Sequence, residues 1–126
     1  QALFHDSEIG GVTLYSSESL AALQAFVGTH IDGRRFRTNV VISGVEAWEE
    51  LFWTGRLIIG DGEFEIEKAV TRCLATHVNP VDGHRDQEIM KSLIKVNELK
   101  LPTFAIRLKP LNVDTIIRVG DVVSTL

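Results

Sequence analysis

The run Arg56-Leu57-Ile58-Ile59, then Gly60-Asp61-Gly62, then Glu63-Phe64-Glu65-Ile66-Glu67 constrains the fold more than any other part of this chain. Two strand-forming segments flank a turn whose Asp-Gly pair tolerates positive φ, and the second segment alternates strictly; this pattern predicts a β-hairpin. The alternation also sets its faces. Phe64 and Ile66 turn inward and Glu63, Glu65 and Glu67 outward, because a slip of one residue would bury three carboxylates.

The remaining segments supply more strands than helices. Val12-Thr13-Leu14-Tyr15 reads as a short strand. Ser16 or Ser17 then caps a helix with Leu20, Leu23 and Val27 on one stripe, ended by Gly28. Asn39 to Ser43 reads as a buried strand stopped at Gly44, and Glu46 to Phe52 as a short helical segment that packs Trp48, Leu51 and Phe52 onto the core. The strand after the hairpin continues toward Val78 and has to bend, near Ala69. Asp86 is the N-cap expected for an amphipathic helix with Ile89, Met90, Leu93 and Ile94 inward and lysines outward. Thr103 to Leu108 alternates, and Ile116 to Val119, Gly120-Asp121 and Val122 to Thr125 read as a closing hairpin. About seven strands with two or three inserted short helices predict a mainly β, barrel-like domain of mostly antiparallel strands.

A chain of 126 residues is one domain, 1–126, large enough for a core without disulfides. Its start at Gln1, without methionine, is read as that of a piece of a longer protein, its C-terminal part. No apolar run is long enough to span a membrane and no secretory pattern opens the chain, so the expected location is cytoplasmic. The net charge of -4 argues against nucleic acid or an anionic membrane as a partner, and any anion must use a local site.

Two features carry chemistry. Cys73 is the only cysteine, preceded by Arg72. A lone free cysteine is most often a buried, inert hydrophobe, but a guanidinium held near sulfur favours the thiolate, which attacks electrophiles and binds soft metals. Arg34-Arg35-Phe36-Arg37-Thr38-Asn39 places cations around an aromatic where a loop enters a strand. Such clusters are commonly solvated faces. They also suit a phosphate-bearing heterocycle, since arginine grips phosphate with its fork and asparagine offers donor and acceptor to ring edges. Asp82, His84, Asp86 and Glu88 have metal-ligand chemistry but sit at a helix start, where acids cap and complement the dipole.

The ordered set Arg35-Phe36-Arg37-Thr38-Asn39-Val40-Val41-Ile42-Ser43-Gly44, Trp53 through Ile59-Gly60-Asp61 with Phe64, Arg72-Cys73 with Thr76, Val78, Pro80 and Gly83, and Ile117-Arg118-Val119-Gly120-Asp121 resembles the signature of MOSC domains, named for the C-terminal domain of molybdenum cofactor sulfurase. The resemblance implies a MOSC-type β-barrel and a role with the molybdenum cofactor. In members similar to the amidoxime-reducing component, the cysteine after arginine ligates molybdenum and the Arg-Phe-Arg-x-Asn segment holds the molybdopterin. In the sulfurase context the domain receives or carries sulfur made by a pyridoxal-phosphate domain. Carried over, this implies Cys73 as metal ligand or persulfide carrier, Thr71 and Arg72 as flanking cofactor contacts, and Arg37 and Asn39 as contacts to the pterin phosphate. It further implies a companion N-terminal domain and a sulfur donor or redox partner protein.

The chain departs from the family pattern in three places. Val70 stands where another cysteine is frequent, so Cys73 has no resolving thiol nearby; Thr76-His77 replaces a Thr-Thr pair, with His77 a proton donor or merely a neighbour; and Ser7-Glu8-Ile9-Gly10-Gly11 lacks the usual Ser-Pro. Two readings stay open: a cofactor-handling or sulfur-carrying domain, part of a reductase or a sulfur-transfer enzyme, and a non-catalytic structural or interaction module with a buried cysteine. The first requires Cys73, Arg72, Arg37 and Asn39 to line one cleft, with irregular backbone near Thr71 to Cys73. A regular strand would turn Arg72 away from the thiol.

Overall fold

The computed structural model describes residues 2–3, 12–72, 80, 89–97, 102–112 and 116–126. Its strands are β1 (Ala2–Leu3), β2 (Val12–Ser16), β3 (Val40–Ile42), β4 (Arg56–Ile59), β5 (Gly62–Thr71), β6 (Thr103–Pro110), β7 (Ile116–Ile117) and β8 (Val123–Thr125). Helices α1 (Ser17–Val27) and α2 (Ile89–Asn97) and two 3₁₀ turns, Gly33–Phe36 and Glu49–Phe52, are set between them. A six-stranded sheet in the order β3-β2-β6-β5-β4-β8 curls into a half-barrel, and β1 pairs with β7 in a second small sheet. Among the described residues only the β2–β3 pair is parallel; its crossover contains α1. The mainly β, barrel-like class expected from the sequence is the one observed.

The hairpin forms in the expected register, with Leu57 opposite Phe64 and Ile59 opposite Gly62. Phe64 and Ile66 are buried while Glu65 and Glu67 are exposed and Glu63 is partly so. The turn itself differs from expectation. Positive φ falls on Gly60, at 56°, so the turn residues are Gly60-Asp61 and Gly62 already belongs to the strand. A glycine first in a two-residue loop suits a strand-twisting turn as well as Asp-Gly does. Gly60 also admits Asp121, whose carboxylate lies where a Cβ would be and accepts from the Arg118 amide at 2.8 Å.

The C-terminal strands do not form a hairpin with each other. Ile116 and Ile117 pair with Leu3 and Ala2, whereas Val123 to Thr125 pair with Ile59 to Leu57. The Arg118–Asp121 turn is present, with the Asp121 amide donating to the Arg118 carbonyl at 3.1 Å, but it delivers the two strands to different sheets. Local alternation specifies a strand and its faces, not which free edge it will join.

Two apolar clusters lie on the two faces of the sheet. Inside the barrel are Val12, Leu14, Val40, Ile42, Leu57, Ile59, Phe64, Ile66, Ile106 and Leu108. Under the helices are Tyr15, Leu23, Ile31, Phe36, Leu93, Phe104 and Ala105. Val12 and Leu14 face one way and Tyr15 the other, as strand alternation requires. Helix α1 is capped at its start by Ser16, whose hydroxyl accepts from the Ser19 amide at 3.0 Å, and at its end by Gly28 with φ of 84°. Helix α2 buries Leu93, but Ile94 is exposed; the expected cap Asp86 lies outside the described residues.

The segment Glu46 to Phe52 inverts one expectation. Phe52 is 68% exposed, whereas Glu50 is fully buried. Its carboxylate accepts from the Ser16 amide at 3.1 Å, the Ser16 hydroxyl at 3.0 Å and the Ser19 hydroxyl at 2.7 Å. The Trp48 amide donates to the Ser19 hydroxyl at 2.8 Å. A buried carboxylate is tolerable only with donors on it, and the start of α1 supplies three. Burial of Tyr15, with Asp32 second, raises the phenol above its ordinary 10.0.

Two outcomes follow. Glu50→Ala strands the Ser16 and Ser19 donors and should lower stability in urea unfolding by about 3 kcal/mol, with Glu50→Gln costing less because one acceptor oxygen remains. Because the folded Tyr15 pKa lies above the unfolded one, its neutral phenol contributes stability that is complete below pH 10.0 and lost as pH rises through the folded value. Tyr15→Phe should therefore flatten that part of the alkaline limb in a series of urea midpoints against pH.

Candidate cofactor site

The route to the site runs through the β5–β6 ladder, which is irregular twice. Ile66 pairs with Leu108 and Lys68 with Arg107, so Glu67 is an extra residue on β5; Ala69 pairs with Ile106 and Thr71 with Thr103, so the second extra residue is on β6. There Ala105 holds φ of 75°, a conformation that favours glycine. The second bulge breaks the alternation of β6. Ile106 and Leu108 stay in the barrel, while Phe104 and Ala105 join the helical cluster. The bend expected near Ala69 is this irregularity.

The bulges bring the end of β5 onto the arginine-rich turn. The Arg72 amide donates to the Pro102 carbonyl at 2.8 Å. Its guanidinium donates from Nε to the Phe104 carbonyl and from Nη1 to the Phe36 carbonyl, both at 2.8 Å. The guanidinium carbon lies 5.4 Å from the centre of the Phe36 ring, which itself stacks on Phe104 at 3.9 Å. One side chain thus ties β5, β6 and the Gly33–Phe36 turn together, with an aromatic pair supporting its plane.

The residues of the turn divide into structural and open ones. Arg34 forks onto Asp32, with Nη2 2.6 Å from Oδ2, and this hydrogen bond, then that of the Arg34 amide, hold the Asp32 carboxyl down to about 2. Arg35 is buried. Arg37 caps the turn at φ of 50°, and its exposed guanidinium makes no hydrogen bond or ion pair among the described residues. Asn39 enters β3 exposed, its Oδ1 accepting from the Thr13 amide at 2.9 Å and hydroxyl at 3.2 Å. Its backbone amide donates to the Thr13 carbonyl at 3.2 Å, and its side-chain Nδ2 has no partner among the described residues. Thr71 is exposed at the end of β5.

Of the residues singled out in the sequence, Arg72 therefore meets the turn at the carbonyl just before Arg37, and Asn39 is anchored on β2. Cys73, Thr76, His77 and Val78 lie outside the described residues, as do Ser7 to Gly11 and the group Asp82, His84, Asp86 and Glu88. A cavity of about 610 Å³ lies elsewhere: it opens between the sheet's edge strands, lined by Val41, Ser43, Trp53, Arg118 and Val123 among others, and touches none of Arg37, Asn39, Thr71 or Arg72. Sequence reasoning missed the buried Glu50, whose Ser16 and Ser19 donors lie more than thirty residues away in the chain.

The fit of a phosphate-bearing pterin rests on this donor set. Arg37, the Asn39 side-chain amide and the Thr71 hydroxyl are exposed donors of the kind an anion and a heterocycle edge take, whereas the Arg72 fork is engaged with the Phe104 and Phe36 carbonyls. Arg72→Lys should lower stability in urea unfolding by about 2 kcal/mol, because a single ammonium cannot span two carbonyls and lie flat on Phe36.

The family model for the MOSC domain matches residues 3–124. The chain is 33% identical over 130 residues to mitochondrial amidoxime-reducing component 1 of Mus musculus, covering 95% of this chain and 38% of that protein. It is 35% identical over 77 residues to the Homo sapiens protein of the same name, covering 61% and 23%. Molybdenum cofactor sulfurase of Caenorhabditis elegans is 31% identical over 81 residues, covering 64% of this chain and 11% of that protein. The chain thus spans well under half the length of these relatives. With a family model matched almost end to end, an arginine-rich turn joined to the strand that leads to Cys73, and a curled β sheet beneath both, this chain belongs to the MOSC domain family.

Proposed function

We propose that this domain binds the molybdenum cofactor, with Cys73 as the soft ligand to the metal or as the carrier of a persulfide sulfur. The observation that carries this reading is the 2.8 Å bond from Arg72 Nη1 to the Phe36 carbonyl. It joins the residue before Cys73 to the residue before Arg37, so two motifs more than thirty residues apart in the chain serve one region.

In this reading Arg37 holds the pterin phosphate as a charge-assisted donor, the Asn39 amide orients a ring edge, and Thr71 offers a hydroxyl at the rim. Arg72 positions rather than contacts. The thiolate of Cys73 would supply the metal's protein ligand through an electron-rich, deprotonated sulfur. The cofactor, when bound, supplies two-electron redox chemistry at molybdenum. As a sulfur carrier, Cys73 thiolate attacks the terminal sulfur of a donor persulfide; a new S–S bond forms, the old one breaks, and the donor leaves as a thiolate. A companion domain, a sulfur donor or redox partner, and a cytoplasmic location belong to the same proposal. Among the described residues no helix is long and apolar enough to cross a membrane.

The test is anaerobic purification of the full-length gene product, followed by elemental analysis for molybdenum and intact-mass analysis for added sulfur. Cys73→Ser should fold with nearly unchanged stability and lose that metal or sulfur, since serine keeps the shape but is a hard, poorly acidic ligand. A wild-type protein that holds neither, with a thiol inert to a small alkylating reagent, would establish the non-catalytic reading instead.

A further inference from the structure

The bulge at Glu67 has an electrostatic result. On β5 and β6, Glu65 stands opposite Lys109, a pair of opposite charges, and Ile66 opposite Leu108. Regular pairing would next set Glu67 against Arg107. The extra residue displaces that carboxylate and sets Lys68 against Arg107. Directly opposed like charges repel across a ladder, so the register here exchanges a favourable pair for an unfavourable one.

Arg107 has no compensation within the described residues. It is partly buried, its Nε is shut off from solvent, and that Nε has no hydrogen-bond acceptor. Neither Arg107 nor Lys68 forms an ion pair among the described residues. A buried, unanswered donor in a native fold calls for an explanation, of which a bound ion is one. The two cations also share a concavity. A cavity of about 280 Å³ is lined by Lys68, Ala69, Val70, Thr71 and Arg107, between the two bulges, with no carboxylate in its wall among the described residues. That volume is below the usual range for drug-sized ligands and ample for a small anion. Across β6, Arg107 faces Thr13, whose hydroxyl bonds Asn39.

We propose that Lys68, Thr71 and Arg107 form an oxyanion subsite on the outer face of the β5–β6 pair, taking a tetrahedral anion of the phosphate or sulfate type. Arg107 donates through its guanidinium, Lys68 closes the other side as a point charge, and Thr71 donates a hydroxyl; charge-assisted bonds of this kind are the strong ones. The subsite shares Thr71 with the cofactor reading but rests on Lys68 and Arg107, which that reading does not use, and its test needs no cofactor.

The test is thermal unfolding of the full-length protein at constant ionic strength, with inorganic phosphate exchanged for chloride. Phosphate should raise the wild-type midpoint, because a ligand of the folded state alone stabilises it. Arg107→Met should abolish the rise, a loss in apparent affinity of about tenfold or more, and Lys68→Gln should weaken it. Arg34→Gln, whose charge is spent on Asp32, should keep it. A phosphomonoester raising the midpoint as phosphate does would identify the anion as the end of a larger molecule; a response to inorganic phosphate alone would identify a free ion. An unchanged rise in Arg107→Met overturns the proposal, as does a rise lost only in Arg37→Gln. Should Arg107→Met fail to fold, Lys68→Gln decides, and an undiminished rise in that variant overturns the subsite.

Discussion

The architecture depends on the two offset bulges in the β5–β6 ladder. One adds a residue to β5 at Glu67 and the other adds one to β6 beside Ala105, so the strands regain step only after passing both. Each bulge re-aims side chains. The first sets cation against cation at Lys68 and Arg107. The second turns Phe104 out of the barrel and under the helices, where it stacks on Phe36. Ala105 accepts a left-handed backbone to make that possible, a local cost of about 1 kcal/mol that the packed cluster around it has to offset.

From that displacement the setting of the arginine-rich turn follows. With Phe104 among the helices, its carbonyl and that of Phe36 come within reach of one guanidinium, and Arg72 joins them. The arginine-rich turn is then held by its Phe36 carbonyl, and Arg37 stays exposed at the tip. Rigidity and openness are divided between neighbouring arginines: Arg34 is spent on Asp32, Arg35 and Arg72 lie in or against the packed layer, and Arg37 faces water. Composition cannot make that division, because all of them carry the same charge and the same fork.

A second fixed point, the buried Glu50, ties the start of α1 to the loop before β4. It serves as an anionic cap for the first turn of a helix, where amide donors and the dipole both favour negative charge. The loop between β3 and β4 is thereby held against the helix, although it contains little regular structure of its own.

What the sequence by itself determined was local. Alternation set the faces of Glu63 to Glu67, Ser16 and Gly28 bounded α1, and the ordered motifs identified the family, because each depends on residues close in the chain or on their order along it. Tertiary structure decided everything that depends on which edge meets which. It split β7 and β8 between two sheets, buried Glu50 while leaving Phe52 in water, and moved Lys68 opposite Arg107. The physical reason is the same in each case. Period and capping are satisfied within a few residues, whereas register, bulge position and the burial of a charge are settled by a partner strand or helix distant in sequence, whose donors and volume no local pattern records.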